Sequence, residues 1–244
     1  MHMTATDPRW IGHQVRDEVS TLRLQRPQAG NRLTNDMALA LADALDAAHA
    51  SRVIVLEAEG PDFCLGREMA PPAPGAGVNA ADVLRDDAAP IQRLYEAFGR
   101  CRAPVLGLVA GRAWGIGMVL AARCDLTLCA RDASFALREL ERGIPPCIAM
   151  APLLDRMPAK ALAHLVFGAE PIDAEAALAA GIVGRVVDGG SLRAEGEALV
   201  RRLLSFPAPA VQAVKQFLAS APRHHEANAV LHGASLLANV LGSR

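Results

Sequence analysis

The residues in this chain whose types and spacing suit chemistry are a set of glycines and one carboxylate. Gly111, Gly115 and Gly117 follow an apolar run, Val105 to Val109, and precede a short apolar helical segment, Met118 to Ala122. A strand that feeds a glycine turn and then a helix start presents backbone N–H groups without partners, and the first helical turn adds a partial positive charge. Such a place stabilises an anion. Glu139 closes the segment after a second strand, Asp125 to Ala130. A carboxylate beside an apolar pocket has its pKa raised by desolvation, and it can take a proton from one carbon and return it to another. Glu139 alternatively reads as a solvated or salt-bridged side chain between Arg138 and Arg142, and Glu141 is its local competitor.

The elements that must position these groups follow from hydrophobic period and turn chemistry. Val19 to Leu24 reads as a strand ended by the turn Arg26 to Asn31, and Thr34 caps a helix whose Met37, Leu41, Leu45 and Ala48 recur at helical spacing. Arg52 to Glu57 is a continuous apolar run of the kind found in strands buried on both faces. It enters a second turn, Gly60 to Arg67, so strand-then-turn units recur about fifty residues apart, as a spiral of repeated strand, turn and helix produces. Ala70 to Asn79 is a Pro/Gly/Ala segment that reads as a loop beside the site, and a helix begins at Asp82 and ends near Gly99. Further helices are expected over Cys147 to Leu154, Pro158 to Phe167, Ala174 to Ala180, Leu192 to Leu204, Pro209 to Leu218 and Arg223 to Leu241, with a last strand from Ile182 to Val187.

The pattern V-x-G-x-A-x-G-x-G-x-x-L-A-x-x-C-D, carried by Val109, Gly111, Ala113, Gly115, Gly117, Leu120, Ala121, Cys124 and Asp125, resembles the enoyl-CoA hydratase/isomerase (crotonase) family. Arg26, Pro27, Asn31 and Leu33 match a second signature of that family, the F-C-x-G run at Phe63 to Gly66 its other anion-binding loop, and Phe167 to Val187 a third signature. The resemblance covers roughly Val19 to Leu218 and implies an α/β fold, the ClpP/crotonase spiral of ββα units. Residues 1–190 are then expected to form the core and residues 191–244 a C-terminal helical region that supports a homotrimer or hexamer. It also implies a thioester carbonyl turned into an enolate, with the oxygen held by the backbone N–H groups of Arg67 and Ile116 and Glu139 as the catalytic base. The match anchored at Cys124 and Asp125 selects Glu139 over Glu141. Phe63, Cys64, Leu65, Gly66, Trp114, Gly115, Gly117, Val119 and Cys147 are the implied substrate-binding positions. Val119 takes the place of the family's first glutamate, which positions water in hydratases, and Cys147 that of an aspartate used in other branches. Both replacements imply one-carboxylate chemistry, which in this family means double-bond isomerisation or enolate chemistry of some other kind, with hydration as the alternative. The implied partner is an acyl-CoA or carrier-protein thioester, with coenzyme A as part of the substrate and no permanently bound cofactor. Ala221 to Arg244 contains no aromatic-and-basic segment of the sort that closes over the nucleotide in this family.

Composition narrows the alternatives. The 244 residues are 52% hydrophobic and 21% charged with a formal net charge of -1, which suits one large core and argues against nucleic acid as a partner. The N-terminal MHMTATDPRW lacks the basic start and apolar run of a signal peptide, and no apolar stretch is of spanning length, so a soluble cytoplasmic protein with no membrane partner is expected. The cysteines, Cys64, Cys101, Cys124, Cys129 and Cys147, are odd in number and lack C-x-x-C spacing, so free buried thiols are expected; the histidines show no metal-ligand spacing. Two other classes compete: a family member that binds a thioester without turnover, and a dinucleotide-binding oxidoreductase suggested by Gly115-x-Gly117. The second lacks a third glycine at Leu120.

Overall fold

A computed structural model describes residues 10–68, 79–220 and 226–242. The Pro/Gly/Ala segment from Ala70 falls, apart from Asn79, outside the described residues. Nine strands occur among them: β1 (Ile11–Arg16), β2 (Val19–Leu24), β3 (Val53–Ala58), β4 (Val105–Val109), β5 (Arg112–Trp114), β6 (Leu126–Ala130), β7 (Ser134–Ala136), β8 (Ile172–Asp173) and β9 (Arg185–Val187). The helices are α1 (Asn35–Ala47), α2 (Ala80–Asp82), α3 (Ala89–Arg100), α4 (Ile116–Arg123), α5 (Cys147–Met150), α6 (Ala159–Gly168), α7 (Ala174–Ala179), α8 (Leu192–Leu204), α9 (Ala208–Ser220) and α10 (Glu226–Gly242). A π-helical stretch, Val83–Ala88, joins α2 to α3.

The strands form a six-stranded sheet in the order β1-β2-β3-β4-β6-β9 and a three-stranded sheet in the order β5-β7-β8. From β2 to β9 the larger sheet is parallel throughout, and only β1 joins it antiparallel. The Val53 to Leu56 stretch of β3 is buried on both faces, which is why its sequence is a continuous apolar run. Met37, Ala38, Leu41, Ala42 and Leu45 of α1 form the buried stripe that packs on one face, and the Thr34 hydroxyl accepts from the Met37 N–H at 3.2 Å at its start. Leu106, Leu128, Ala130 and Val187 point to the opposite face and pack with Leu192 at the start of α8. That helix therefore covers this face of the sheet.

Each turn of the chain repeats one plan: a strand of the large sheet, a short extended piece in the second layer, then a helix. In the first two turns the short piece is a single bridge residue rather than a strand. Leu33 bridges to Arg67 and Cys64 to Ala113, and these bridges continue the small sheet across neighbouring turns. Gly66 and Arg67, Gly115 and Ile116, and Glu139 thus follow the short piece in three successive turns. Stacking the turns brings them together.

Candidate active site

Between the second and third turns the backbone is tied by the Cys64 N–H donating to the Arg112 carbonyl (3.0 Å) and the Trp114 N–H donating to the Cys64 carbonyl (2.8 Å). Between the third and fourth, the Gly115 N–H donates to the Ala136 carbonyl at 2.7 Å. Close approach dictates the glycines. A Cβ on Gly117 would meet the Cys64 carbonyl oxygen at 2.2 Å, and one on Gly111, where φ is +63°, would meet the Pro61 oxygen at 1.8 Å. These two glycines are explained by packing alone. Gly115 differs: at φ +54° its absent side chain leaves room for Gly66 Cα, 3.2 Å from the Cβ position, and for Glu139 Oε1, 2.8 Å from it.

The orientation of two N–H groups follows from what their peptide carbonyls do. The Gly66 carbonyl accepts from the Leu33 N–H at 3.0 Å. In a trans peptide the N–H points the other way, so the Arg67 N–H faces away from Leu33, toward the side on which Ala113 and Gly115 lie. The positive φ of Gly66, +104°, makes that turn of the chain possible. The Gly115 carbonyl accepts from the Met118 and Val119 N–H groups at 3.1 and 3.3 Å, along α4, so the Ile116 N–H points out of the helix start. Among the described residues neither the Arg67 nor the Ile116 N–H makes a hydrogen bond.

Both residues line a cavity of about 900 Å³, together with Leu65, Gly66, Trp114, Gly115 and Glu139. Glu139 begins a 3₁₀ turn three residues after β7, closed by Gly143 at φ +68°. It is half-buried, its Oε2 is buried without a hydrogen-bond partner among the described residues, and burial raises its pKa against smaller opposing pulls, first from its own backbone N–H and then from Arg142. Glu141 is exposed and paired with Arg138 at 2.9 Å, so its charge is already used. Trp114 forms a fixed wall: its indole N–H donates to the Ser134 hydroxyl at 3.2 Å, and the Arg112 and Arg138 guanidiniums lie over its ring.

Five of the residues implied by the resemblance do not line the cavity. Phe63, Cys64 and Val119 lie in the hydrophobic core and Gly117 is buried against Cys64, so they support the wall from behind. Burial pushes the Cys64 thiol up to about 12, which makes it inert. Cys147 begins α5 and is exposed, and Cys101 is half-buried, so the expectation of five buried thiols holds only for Cys64, Cys124 and Cys129.

Other residues hold the site in register. Asp62 accepts from Arg112 Nε and Nη2 at 2.7 and 2.8 Å, an ion pair that clamps the two glycine turns and holds the Asp62 carboxyl below its ordinary range. Asn31, wholly buried, donates to the carbonyls of Glu59 and Asp62, both at 2.8 Å, which gives the Arg26 to Leu33 signature a positioning role. Tyr95 also lines the cavity. Its spacing of four from the buried Ile91 on α3 is the sequence signal that points it inward.

Comparison with known proteins gives one result throughout. The family model for enoyl-CoA hydratase/isomerase matches residues 14–241. A probable enoyl-CoA hydratase of Mycobacterium tuberculosis is 30% identical over 85% of this chain and 82% of its own length. The 1,2-epoxyphenylacetyl-CoA isomerase of Escherichia coli is 29% identical over 87% of this chain and 82% of its own. Among solved structures, a Thermobifida fusca protein in complex with CoA superposes with a TM-score of 0.87 at 27% identity, covering 98% of this chain and 95% of that one.

Proposed function

Given that the chain belongs to the enoyl-CoA hydratase/isomerase family, we propose that it isomerises an enoyl-CoA thioester through an enolate, with Glu139 as its single base. The observation that carries this reading is the meeting of two unpaired backbone N–H groups, those of Arg67 and Ile116, with a desolvated carboxylate at one cavity. The thioester oxygen of a 3-enoyl substrate is received by the two N–H groups. Glu139 takes a proton from C2, the electron pair moves through the conjugated system onto that oxygen, and the same carboxyl group returns the proton to C4. The double bond ends between C2 and C3 with no change in composition. Holding the developing charge is the larger contribution, since one such donor is worth about 3 kcal/mol of transition-state stabilisation. No cofactor is required, and coenzyme A enters as part of the substrate. The complex of the Thermobifida fusca relative with CoA supports this choice over a carrier-protein thioester.

Hydration is the second reading, favoured by the name of the Mycobacterium tuberculosis relative. It needs a second group to hold water, and Val119 is buried in the core. A panel of 2-enoyl- and 3-enoyl-CoA esters of several chain lengths, assayed for both reactions, separates the two. Isomerisation is expected to exceed hydration, and hydration that predominates and survives Glu139→Gln would overturn the assignment. A homotrimer or hexamer is part of the proposal. Val214 and Leu218 of α9 and Leu231 and Leu237 of α10 are exposed, an apolar surface suited to a second copy. Light scattering of the purified protein tests it.

A further inference from the structure

The π-helical stretch Val83–Ala88 walls one side of the cavity without a single buried residue: Val83, Arg85, Asp86 and Asp87 line the space and Leu84 is exposed. A segment that adds nothing to the core is held by polar ties or opens easily. The Arg85 ion pairs, with Asp82 and Asp86, stay within the wall and its first turn. Two side-chain hydrogen bonds tie the wall to other parts of the fold. The Asp86 carbonyl accepts from Asn35 Nδ2 at 2.6 Å, and Asp87 Oδ1 accepts from Arg67 Nη2 at 3.2 Å. The same Nη2 donates to Asn35 Oδ1 at 2.6 Å, so Arg67, the start of α1 and the wall close a ring of three hydrogen bonds. With side-chain exposures of 14% and 31%, Arg67 and Asp87 are far better shielded than Arg85, at 66%, and their attraction is correspondingly less screened.

Enolate stabilisation draws on the backbone N–H of Arg67 alone and leaves its side chain without a role. That N–H follows Gly66, at φ +104°, where no Cβ restrains the peptide plane. Holding the guanidinium in the ring fixes the direction of the Arg67 Cα–Cβ bond and, with it, the plane that carries the N–H. We propose that Arg67 is a positioning residue through its side chain: by gripping Asp87 and Asn35 it makes the placement of the Val83–Ala88 wall and the aim of the neighbouring N–H donor a single arrangement. This rests on the acyl-thioester reading above and adds to it a residue that supports the donor without touching the reacting atoms. Asn35 is the coupling piece, since its amide uses its oxygen on Arg67 and its nitrogen on the wall.

Amide hydrogen exchange of the unliganded protein, together with steady-state kinetics on whichever ester of the enoyl-CoA panel wild type turns over fastest, tests the assignment in wild type, Arg67→Met, Asp87→Ala and the double variant. Arg67→Met keeps the backbone N–H and removes only the grip. Each single variant is expected to exchange about tenfold faster in peptides covering residues 83–89 and 65–68, while the large sheet keeps its protection. In each, kcat should fall about tenfold with KM within about threefold of wild type, the signature of a misaimed donor and not of lost binding. The double variant should be no slower than the slower single one, because both changes cut the same link. Unchanged exchange at 83–89, an unchanged kcat, or losses of kcat that multiply in the double variant would each overturn the inference and leave the thioester reading intact. Exchange that rises across the large sheet with a lowered denaturation midpoint would assign Arg67 a structural role and overturn it too. A wild type that turns over no ester of the panel would overturn the thioester reading itself and the inference with it.

Discussion

The carboxylate of Glu139 occupies the space beside the bare Cα of Gly115: a Cβ built on Gly115 would stand 2.8 Å from Glu139 Oε1. Gly115 adopts φ +54° and ψ −125°, a region open to glycine alone, so two separate demands fall on one position. Gly115→Ala must move the carboxylate or the helix start, and a displacement of about 1 Å in a catalytic group costs roughly 10²-fold in rate. Turnover of the folded variant is expected to fall by about that factor. Wild-type turnover in Gly115→Ala would show that Glu139 and the glycine turn do not act together.

Glu139→Gln keeps the shape and removes the base. Turnover is expected to drop by roughly 10²-fold or more with little change in ligand affinity, while Glu141→Gln, which loses only an exposed pair with Arg138, should behave as wild type. The raised pKa adds a pH signature. The base works only when ionised, so kcat should decline as pH falls through a value above the ordinary 4.5 of glutamate. Stability runs with the opposite sign: a carboxyl group that holds its proton more tightly when folded contributes stability below 4.5 and loses it as pH rises through the folded value. Glu139→Gln should therefore melt higher than wild type at neutral pH, with the difference shrinking as pH falls toward 4.5. Melting curves across pH check this independently of catalysis.

What the sequence discloses here depends on how much structure each residue type controls. β2 and β4 were legible to the residue, because apolar runs bounded by turn residues have one reading. β1 was not legible: only Ile11 of its six residues is buried, and its hairpin to β2 turns at Asp17 and Glu18, both at positive φ, where Asn-Gly would have announced the turn. β5, β7 and β8 are two or three residues long, too short to show a period, yet they carry the stacking that assembles the site. The glycine turns were legible because close backbone approach demands glycine, and Glu139 stood out as a carboxylate beside apolar segments, which is where it lies at the cavity. Val119, Gly117, Phe63 and Cys64 lie in the matched motifs for packing, and linear order does not separate a wall from what lies behind it. The Asp62 and Arg112 pair joins positions fifty residues apart and had no local signal.

That pair sets the spacing of the two donor turns. Asp62→Ala would leave the Arg112 guanidinium without its bidentate partner and loosen the Gly60 to Arg67 turn against the turn that ends in Ile116, with the backbone bonds of Cys64 still joining them. Turnover is expected to fall about tenfold, with a smaller change in affinity for a saturated acyl-CoA, because a loosened donor affects the charged transition state more than the ground state. Asp62 has a lowered pKa, so its stabilising share is present above its ordinary 3.8 and is lost as pH falls through the depressed value. A stability difference between wild type and Asp62→Ala that persists unchanged into strong acid would disprove the ionic role.

A buried ion pair links the sheet to the C-terminal helices. Lys215 of α9 is buried and donates to the Ala103 carbonyl at 2.8 Å and to Asp125 Oδ2 at 2.7 Å, and the same Oδ2 accepts the Val105 N–H at 2.7 Å. One carboxylate thus ties the start of β4, the end of α4 and a helix 90 residues further along the chain. The motif's Asp125 is then a strut, and it does not line the cavity. Lys215→Met removes the cation and leaves Asp125 with an unpaired charge in a largely enclosed place, at an expected loss of about 2–3 kcal/mol in unfolding free energy. Asp125→Asn keeps an acceptor for the Val105 N–H, so the double variant Asp125→Asn/Lys215→Met should lose less than the two single losses added, by about 1 kcal/mol or more. Turnover per folded molecule should stay within about twofold of wild type in all three variants, because neither side chain lines the cavity. Additive losses in chemical denaturation would dissolve the strut. A selective collapse of turnover with stability intact would instead move Asp125 into the catalytic apparatus.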